Sequence, residues 1–173
     1  MPLPLGHTAA GLAIHDVYVK GRYTLSLWKT LALVIVLTNL PDMDVLVGLI
    51  FHGNGNFFHR GPTHSLLFAL VMAFLVSNTW RCWSRIPRVS YVLCFSLILS
   101  HILADALLTA TPVSFWYPLE LNSSLGHSGW REVIESVVFG AFRDLGIIVI
   151  SAVVLFINRI IRHKPMSITS SRF

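Results

Sequence analysis

Charged side chains are scarce in this sequence. Asp, Glu, Lys and Arg make up 12% of the 173 residues, whereas hydrophobic residues make up 54% and the mean hydropathy is +0.69. A soluble domain typically has about 25% charged residues and about 45–50% apolar ones. The composition therefore argues against an ordinary soluble domain and predicts a membrane protein, while the length suggests a single domain.

Several familiar signatures are also missing. The two cysteines, Cys82 and Cys94, form no CxxC pair, which argues against a disulfide framework and a cysteine metal site. The sequence has no GxSxG, P-loop, HExxH or glycine-rich dinucleotide motif, so the best-known nucleophile and nucleotide sites are not expected. No basic residue precedes the first apolar stretch, so a cleavable signal peptide is not predicted.

The net charge is +5, but the basic residues are not spread along one surface. They fall in short clusters between apolar runs, which is typical of cytoplasmic loops under the positive-inside rule rather than of a nucleic-acid interface. We therefore expect no nucleic-acid partner. The clusters are Lys20/Arg22/Lys29, Arg81/Arg85/Arg88 and Arg159/Arg162/Lys164.

Five apolar segments predict an all-α, polytopic membrane bundle with about four spans and a short N-terminal helix. A span needs about 17–25 residues, and the first segment is too short to cross a bilayer alone. We predict one membrane-embedded domain over residues 1–164 and a flexible tail over 165–173. The segments are about Leu5–Val19, Leu25–Leu40, Pro62–Trp80, Val89–Leu108 and Val137–Ile161.

The basic clusters assign one end of this bundle to the cytoplasm, and the imidazoles and carboxylates then fall at the other end. Three or four histidines with two or three aspartates suit Zn²⁺, or Mn²⁺ or Fe²⁺ where carboxylates predominate. We predict that one or two ions bind here. The predicted ligands are His7, Asp42, Asp44, His59, His64, His101 and Asp105.

Two roles within this set stay open. The aspartates of "PDMD", Asp42 and Asp44, can bridge two metals, and either can act as general base for a metal-activated water. Asp105 lies four residues after His101, on the same helix face. It can bind a metal directly or orient His101 from behind. A shared structural role for the histidines is the simpler alternative.

The motif "HRGPTHS" opens the third segment. Pro62 at a first helical position places Thr63 and His64 in the first turn, where free N–H groups favour an anion. Arg60 can grip a phosphate in bidentate fashion, or can form an ion pair with Asp42 or Asp44. Thr63 is a predicted substrate contact or cap, and Ser65 a predicted helix cap.

Other polar residues have simpler interpretations. His15 and His52 are expected to be core or interfacial residues, and Asp16 to pair with Lys20 at a helix end. Whether His127 or Glu120 joins the site is open.

With His7, "PDMD", "HRGPTHS" and the HxxxD of His101 and Asp105 in order, the chain resembles the YdjM-like family of LexA-regulated, inner-membrane-bound, metal-dependent hydrolases. That family is distantly similar to zinc-dependent phospholipase C. The resemblance covers about residues 5–118 and implicates the seven ligands above. It also implicates Thr109, which matches a threonine that follows HxxxD. The residues after it, "ATP", replace an expected glycine turn.

The sequence pattern and this resemblance together predict a bacterial inner-membrane hydrolase with its site on the periplasmic side. Zinc is the expected metal, and a phosphoester or phospholipid-like amphiphile the expected substrate, with membrane lipids as partners. The predicted catalytic residues are Asp42, Asp44 and Arg60, and the predicted substrate contacts are Arg60, Thr63 and Thr109. A metal transporter or metal-binding protein without hydrolytic activity is the alternative, because ionisable groups inside membranes often line pathways.

Overall fold

A computed structural model describes residues 4–20, 25–83, 86, 88–108, 113–119 and 144–163. These ranges hold six α-helices, one 3₁₀ turn at Pro62–His64 and no β-strand, so the all-α prediction is confirmed. The helices are α1 (Pro4–Val19), α2 (Leu27–Thr38), α3 (Met43–His52), α4 (Leu66–Cys82), α5 (Tyr91–Leu108) and α6 (Leu145–His163).

The helix ends follow local signals. Ser65 caps α4 by accepting a hydrogen bond from the Phe68 N–H at 3.1 Å, which confirms its predicted capping role. Gly53 ends α3 in the left-handed region at φ +64°, a conformation that glycine adopts without steric cost.

The apolar segments predicted from the sequence leave residues 41–61 as a loop at the outer end of the bundle, and this is wrong in part, because the stretch contains α3. The run "VLVGLIF" is too short to span a membrane but continues the apolar character of α2 beyond the proline. The axes of α2 and α3 differ by 60° at this break. Pro41 explains it, since its ring cannot continue the hydrogen-bond ladder of α2. Asp42 and Asp44 therefore sit at a sharp corner.

By length and composition, one described helix can cross a membrane: Leu145–Arg162 within α6. The bent pair α2–α3 makes a second if it counts as one broken span, whereas α4 and α5 are shorter apolar helices. The described helices thus give one or two clear spans, and the predicted four are not confirmed.

The core surrounds α5, which packs against α1, α2 and α4. Leu97, Ile98 and Ile102 of α5 are fully buried. Burying a Leu or Ile side chain stabilises a fold by roughly 1.5–3 kcal/mol, so this stripe anchors the bundle. The buried alanines of α4, Ala69 and Ala73, face it and leave room for close approach.

The last helix, α6, packs mainly on α1. Asp16 accepts hydrogen bonds from Asn158 at 2.6 Å and from Arg162 at 3.2 Å. Among the described residues, Asp16 pairs with Arg162 of α6 and not with Lys20, so the expected helix-end pair with Lys20 is wrong. The contact therefore links the C-terminal ends of α1 and α6. Only 6% of the Leu145–Arg162 window is buried, so most of α6 presents apolar side chains outward.

Candidate metal centre

Helices α1, α2, α4 and α5 run so that all seven predicted ligands meet at one end of the bundle. His7 lies on the first turns of α1, the two aspartates of "PDMD" at the α2–α3 corner, and His101 and Asp105 on α5. His59 and His64 come from the segment before α4. All seven are buried except Asp42, whose side chain is 17% exposed. The site is thus a nearly closed chamber with Asp42 toward the surface.

Two overlapping groups of donor atoms can each hold a cation. One consists of Asp42, His59, His64 and Asp105, and the other of His7, His101 and Asp105; the donor atoms within each group lie within 4.8 Å of one another. Asp105 is common to both. A shared carboxylate with one oxygen toward each group is the usual bridge of a two-metal site. Asp105, rather than an aspartate of "PDMD", is the residue that would be shared if a cation occupied each group.

The ring nitrogens of His64 and His101 are oriented toward the same point. His101 Nδ1 lies 2.7 Å from the Thr38 carbonyl oxygen, which can only accept, so Nδ1 carries the hydrogen. His64 Nδ1 faces Asp44 Oδ2 at 3.2 Å and Thr63 Oγ1 at 3.1 Å, and the hydroxyl donates to the same carboxylate. When both rings are neutral, their Nε2 lone pairs therefore point inward, 3.3 Å apart. Two lone pairs at this distance repel unless a cation or a proton lies between them.

The separations between donors also suit a metal. Asp42 Oδ1 lies 3.3 Å from His101 Nε2 and 3.5 Å from His64 Nε2, and Asp105 Oδ2 lies 3.7 Å from His64 Nε2. Hydrogen bonds would be about 2.7–3.2 Å. Two ligands on a tetrahedral Zn²⁺ at about 2.0–2.1 Å from the ion are about 3.3 Å from each other. The residues present therefore fit a divalent cation.

Asp44 lies behind the histidines. Its carboxylate is 3.1 Å from His59 Nδ1 and 3.2 Å from His64 Nδ1, and it accepts the Thr63 hydroxyl proton at 2.5 Å. A carboxylate on the far nitrogen of a ligating imidazole fixes its tautomer and raises its basicity. The geometry is that of an orienting residue, and Asp44 belongs to neither donor group.

Protonation competes with metal binding at this site. Burial alone would lower the pKa of His64, but the neighbouring carboxylates of Asp42 and Asp44 outweigh burial and raise that pKa to about 9. Without a cation the ring therefore holds a proton at neutral pH. A cation that bound here would have to displace this proton, so metal affinity would depend on pH.

His7 has no hydrogen-bond partner for either ring nitrogen among the described residues, although it is buried. Its ring stacks on His101 at 3.8 Å, and Nε2 lies 3.6 Å from Asp105 Oδ1. An unsatisfied buried polar group costs about 1–3 kcal/mol. A ligand role would offset that cost.

Asp144 supports His7 and was not among the predicted site residues. This buried carboxylate accepts the Gly6 N–H at 2.7 Å and so satisfies one of the free donors at the start of α1. A Cβ on residue 6 would lie 2.8 Å from the Asp144 carboxyl carbon, so a side chain there would displace this carboxylate. The signal was an aspartate inside an apolar segment, the pattern that singled out Asp105.

Arg60 is buried against Asp105, with Nε 3.5 Å from Oδ2. The alternative pairing with Asp42 or Asp44 is wrong, since the described ion pair is with Asp105. Its backbone is left-handed at φ +64°, an unfavourable conformation for a residue with a side chain. Such strain concentrates at functional sites, where surrounding contacts hold it. Here the Ser114 N–H donates to the Arg60 carbonyl at 3.1 Å.

A family model described as "YdjM inner membrane protein" matches residues 1–165. The chain belongs to the YdjM family. Inner membrane protein YbcI of Escherichia coli strain K12 is 42% identical over 77 residues, covering 43% of this chain and 44% of that relative. The chain thus aligns with less than half of YbcI. No solved structure matches. A bacterial inner-membrane location follows from the family and the relative.

The remaining predicted site residues of this YdjM-family chain are placed differently. The Thr63 hydroxyl donates a hydrogen bond to Asp44. The anion site expected at the start of α4 is not supported, because Thr63 and His64 lie in a separate 3₁₀ turn and the Leu66 N–H donates to Phe115 O at 3.0 Å. Thr109, Glu120 and His127 lie outside the described residues. His52 stacks on Phe57 away from the centre, as an interfacial residue would.

Proposed function

We propose that this chain is a membrane-bound, metal-dependent hydrolase that acts on a phosphoester in an amphiphilic substrate. The observation that carries the proposal is the pair of inward-facing Nε2 atoms of His64 and His101, 3.3 Å apart and flanked by Asp42 and Asp105. With both rings neutral, this arrangement is costly for an apolar bundle unless a cation or a proton offsets it. Zinc is the metal that we propose, on the nitrogen and oxygen donors present.

The charge balance supports a hydrolytic site for an anionic substrate. Asp42, Asp44 and Asp105 face one guanidinium, that of Arg60, so the fixed charges leave two negative charges. One divalent cation neutralises them. A second, in the group that contains His7, would give the chamber a net positive charge that favours a phosphate. We therefore propose two ions, with Asp105 as the shared ligand.

The side chains of the site have separate proposed roles in hydrolysis. A bound divalent cation lowers the pKa of its water from about 15.7 toward about 7. Asp42 is the most exposed carboxylate of the site and is the proposed proton acceptor. Asp44 holds His59 and His64 in the correct tautomer and orientation. Arg60 neutralises charge next to Asp105 and is positioned to stabilise negative charge that develops on the substrate.

The orientation that we propose puts this site on the periplasmic side of a multi-pass protein. Of the described Lys and Arg residues, Arg60 lies at the metal end and the others lie at the opposite helix ends. The positive-inside rule places that opposite end in the cytoplasm. A site at headgroup depth can reach lipid phosphoesters without removing the lipid from the bilayer.

A metal transporter is the second candidate, and the core disfavours it. Transport needs polar groups that continue from the metal site toward the other side. Fully buried Val34, Leu97 and Ile98 form an apolar layer directly beneath His101.

LexA regulation stays a prediction of the family resemblance.

The decisive experiment is metal analysis of the purified chain together with hydrolysis of a chromogenic phosphodiester. We expect one to two zinc ions per chain and activity that a chelator removes and zinc restores. Asp44→Asn should lower metal affinity by about 10–100-fold, as changes to orienting partners do. His101→Ala should abolish both metal and activity.

His52→Ala is the matched control, because His52 is an exposed histidine outside the centre. It should retain metal and activity. A wild type without metal at neutral pH contradicts the proposal. A metal-loaded wild type that hydrolyses no phosphoester and no phospholipid leaves a metal-binding protein and overturns the hydrolase assignment.

A further inference from the structure

The bundle end opposite to the metal centre carries a second cavity, of about 480 Å³. It lies among the C-terminal turns of α1 and the first turns of α2 and α5. Leu93 on its wall precedes His101 by eight residues, about 12 Å along α5. The apolar layer of Val34 and Leu97 separates the two places. The cavity is therefore a distinct feature and does not extend the metal centre.

The polar lining of this cavity is basic and hydroxylic. Lys20 and Arg88 contribute the charges, and Thr30 and Ser90 contribute hydroxyls. Neither cation forms an ion pair with a carboxylate in the described part of the chain. The Arg88 guanidinium lies 4.0 Å from the centre of the Trp80 ring, a cation–π contact that holds it in place. Such a lining is complementary to a phosphate group.

An apolar groove of about 510 Å³ continues from the cavity. Leu25, Leu33 and Val89 line both spaces, and Val36 and Val76 extend the groove toward the middle of the bundle. The groove therefore runs from a basic head region along the faces of α2 and α4. A basic pocket joined to an apolar channel matches an anionic headgroup with its acyl chain.

We propose that this cavity and groove bind one anionic phospholipid of the cytoplasmic leaflet. Lys20 and Arg88 bind its phosphate, and an acyl chain lies along Leu33 and Val36. The surrounding charge supports a lipid, since Lys29, Arg81, Arg159 and Arg162 lie at the same bundle end. Basic residues at a cytoplasmic membrane surface attract anionic lipids. The lipid would pack between α1, α2 and α5 and hold the base of the bundle together.

Native mass spectrometry of the detergent-solubilised full chain, titrated with phosphatidylglycerol, tests this site. We expect one tightly bound lipid. Lys20→Gln combined with Arg88→Gln should weaken its binding about thirtyfold, because each cation near an anionic surface contributes a factor of about five. Arg159→Gln removes an exposed charge at the same end outside the cavity and should leave the binding unchanged.

A second pair of variants tests the groove. Ala32→Phe fills it and should weaken phosphatidylglycerol binding, whereas Ala152→Phe on the exposed face of α6 should not. Equal lipid binding by the Lys20/Arg88 and Arg159 variants would overturn the proposal. The proposal would also be overturned if inorganic phosphate displaced the lipid and bound equally well to the wild type and to the Ala32→Phe chain. That result would indicate a site for a soluble anion. Metal content should stay constant throughout, so this test is independent of the proposed hydrolase.

Discussion

Helices α5 and α6 have nearly the same length, 18 and 19 residues, yet they bury different surfaces. In α5, His101 and Asp105 share the buried side with Leu97, Ile98 and Ile102. In α6, Ile150 and Phe156 are each 66% exposed. Apolar composition alone does not separate a central helix from a peripheral one. The ionisable residues do, because they are stable in a membrane only where other helices supply partners.

The largest effect is expected from Asp105→Asn, which removes the carboxylate that both donor groups of the site share. Arg60 then faces a neutral amide, and neither group keeps its full charge. We expect metal affinity to fall by more than about 100-fold, which is the largest loss expected when an orienting residue is removed. Competition with a zinc chelator measures this change.

Ser100→Ala is the matched control on the same helix, since its hydroxyl bonds only to Leu97 O among the described residues. It should bind metal like the wild type. An Asp105→Asn chain with undiminished zinc affinity would remove Asp105 from the centre.

The apolar faces of the two helices give the next contrast. Ile98→Ala in α5 should lower the free energy of unfolding by about 2–5 kcal/mol, because the site is fully buried and leaves a cavity. Ile150→Ala in α6 deletes the same atoms from an exposed position and should change the free energy of unfolding by less than about 0.5 kcal/mol. Denaturant unfolding in detergent micelles measures both. Equal losses would show that α6 is buried in an assembly of chains.

Asp144→Ala should have an intermediate effect at the junction of α6 with α1. The Gly6 N–H loses its acceptor, which costs about 1–3 kcal/mol of unfolding free energy. Because His7 follows Gly6 directly, metal affinity should fall as well. Asp144→Asn keeps an oxygen acceptor and should retain more of both quantities. A stable Asp144→Ala chain with full metal affinity would exclude a supporting role for Asp144.

Arg162→Ala should have the smallest effect. Its side chain is 22% exposed, so solvent screens its contact with Asp16, and the expected loss of unfolding free energy is about 1 kcal/mol. Arg159→Ala, one turn earlier and exposed, should lie within about 0.5 kcal/mol of the wild type. Indistinguishable values for the two variants would remove the polar link between α1 and the end of α6.

The sequence predicted which residues gather but not how they face one another. Positive charges gave the helix directions, and the histidines and aspartates then had to share one end, as the structure shows. Chain spacing cannot reveal which nitrogen of an imidazole a carboxylate contacts, so the position of Asp44 behind His59 and His64 was not foreseen. Chain spacing likewise did not reveal that Asp105 belongs to both donor groups.

Helix α3 shows a second limit of prediction from the sequence. Its apolar run is shorter than a membrane span, so hydropathy read at span length assigned it to a loop. The proline before it marks a break but not the direction in which the chain continues. That direction depends on packing, as at Gly48, where an added Cβ would lie 2.5 Å from the Asn54 carbonyl oxygen.

The corner at Pro41 has a chemical consequence for a ring on a different helix. Had α2 continued, the amide of residue 42 would have taken up the Thr38 carbonyl through the usual bond to the fourth residue before it. The imino ring ends that ladder and leaves this oxygen available to His101 Nδ1. A residue that contacts neither metal nor substrate thereby determines which nitrogen of His101 is basic.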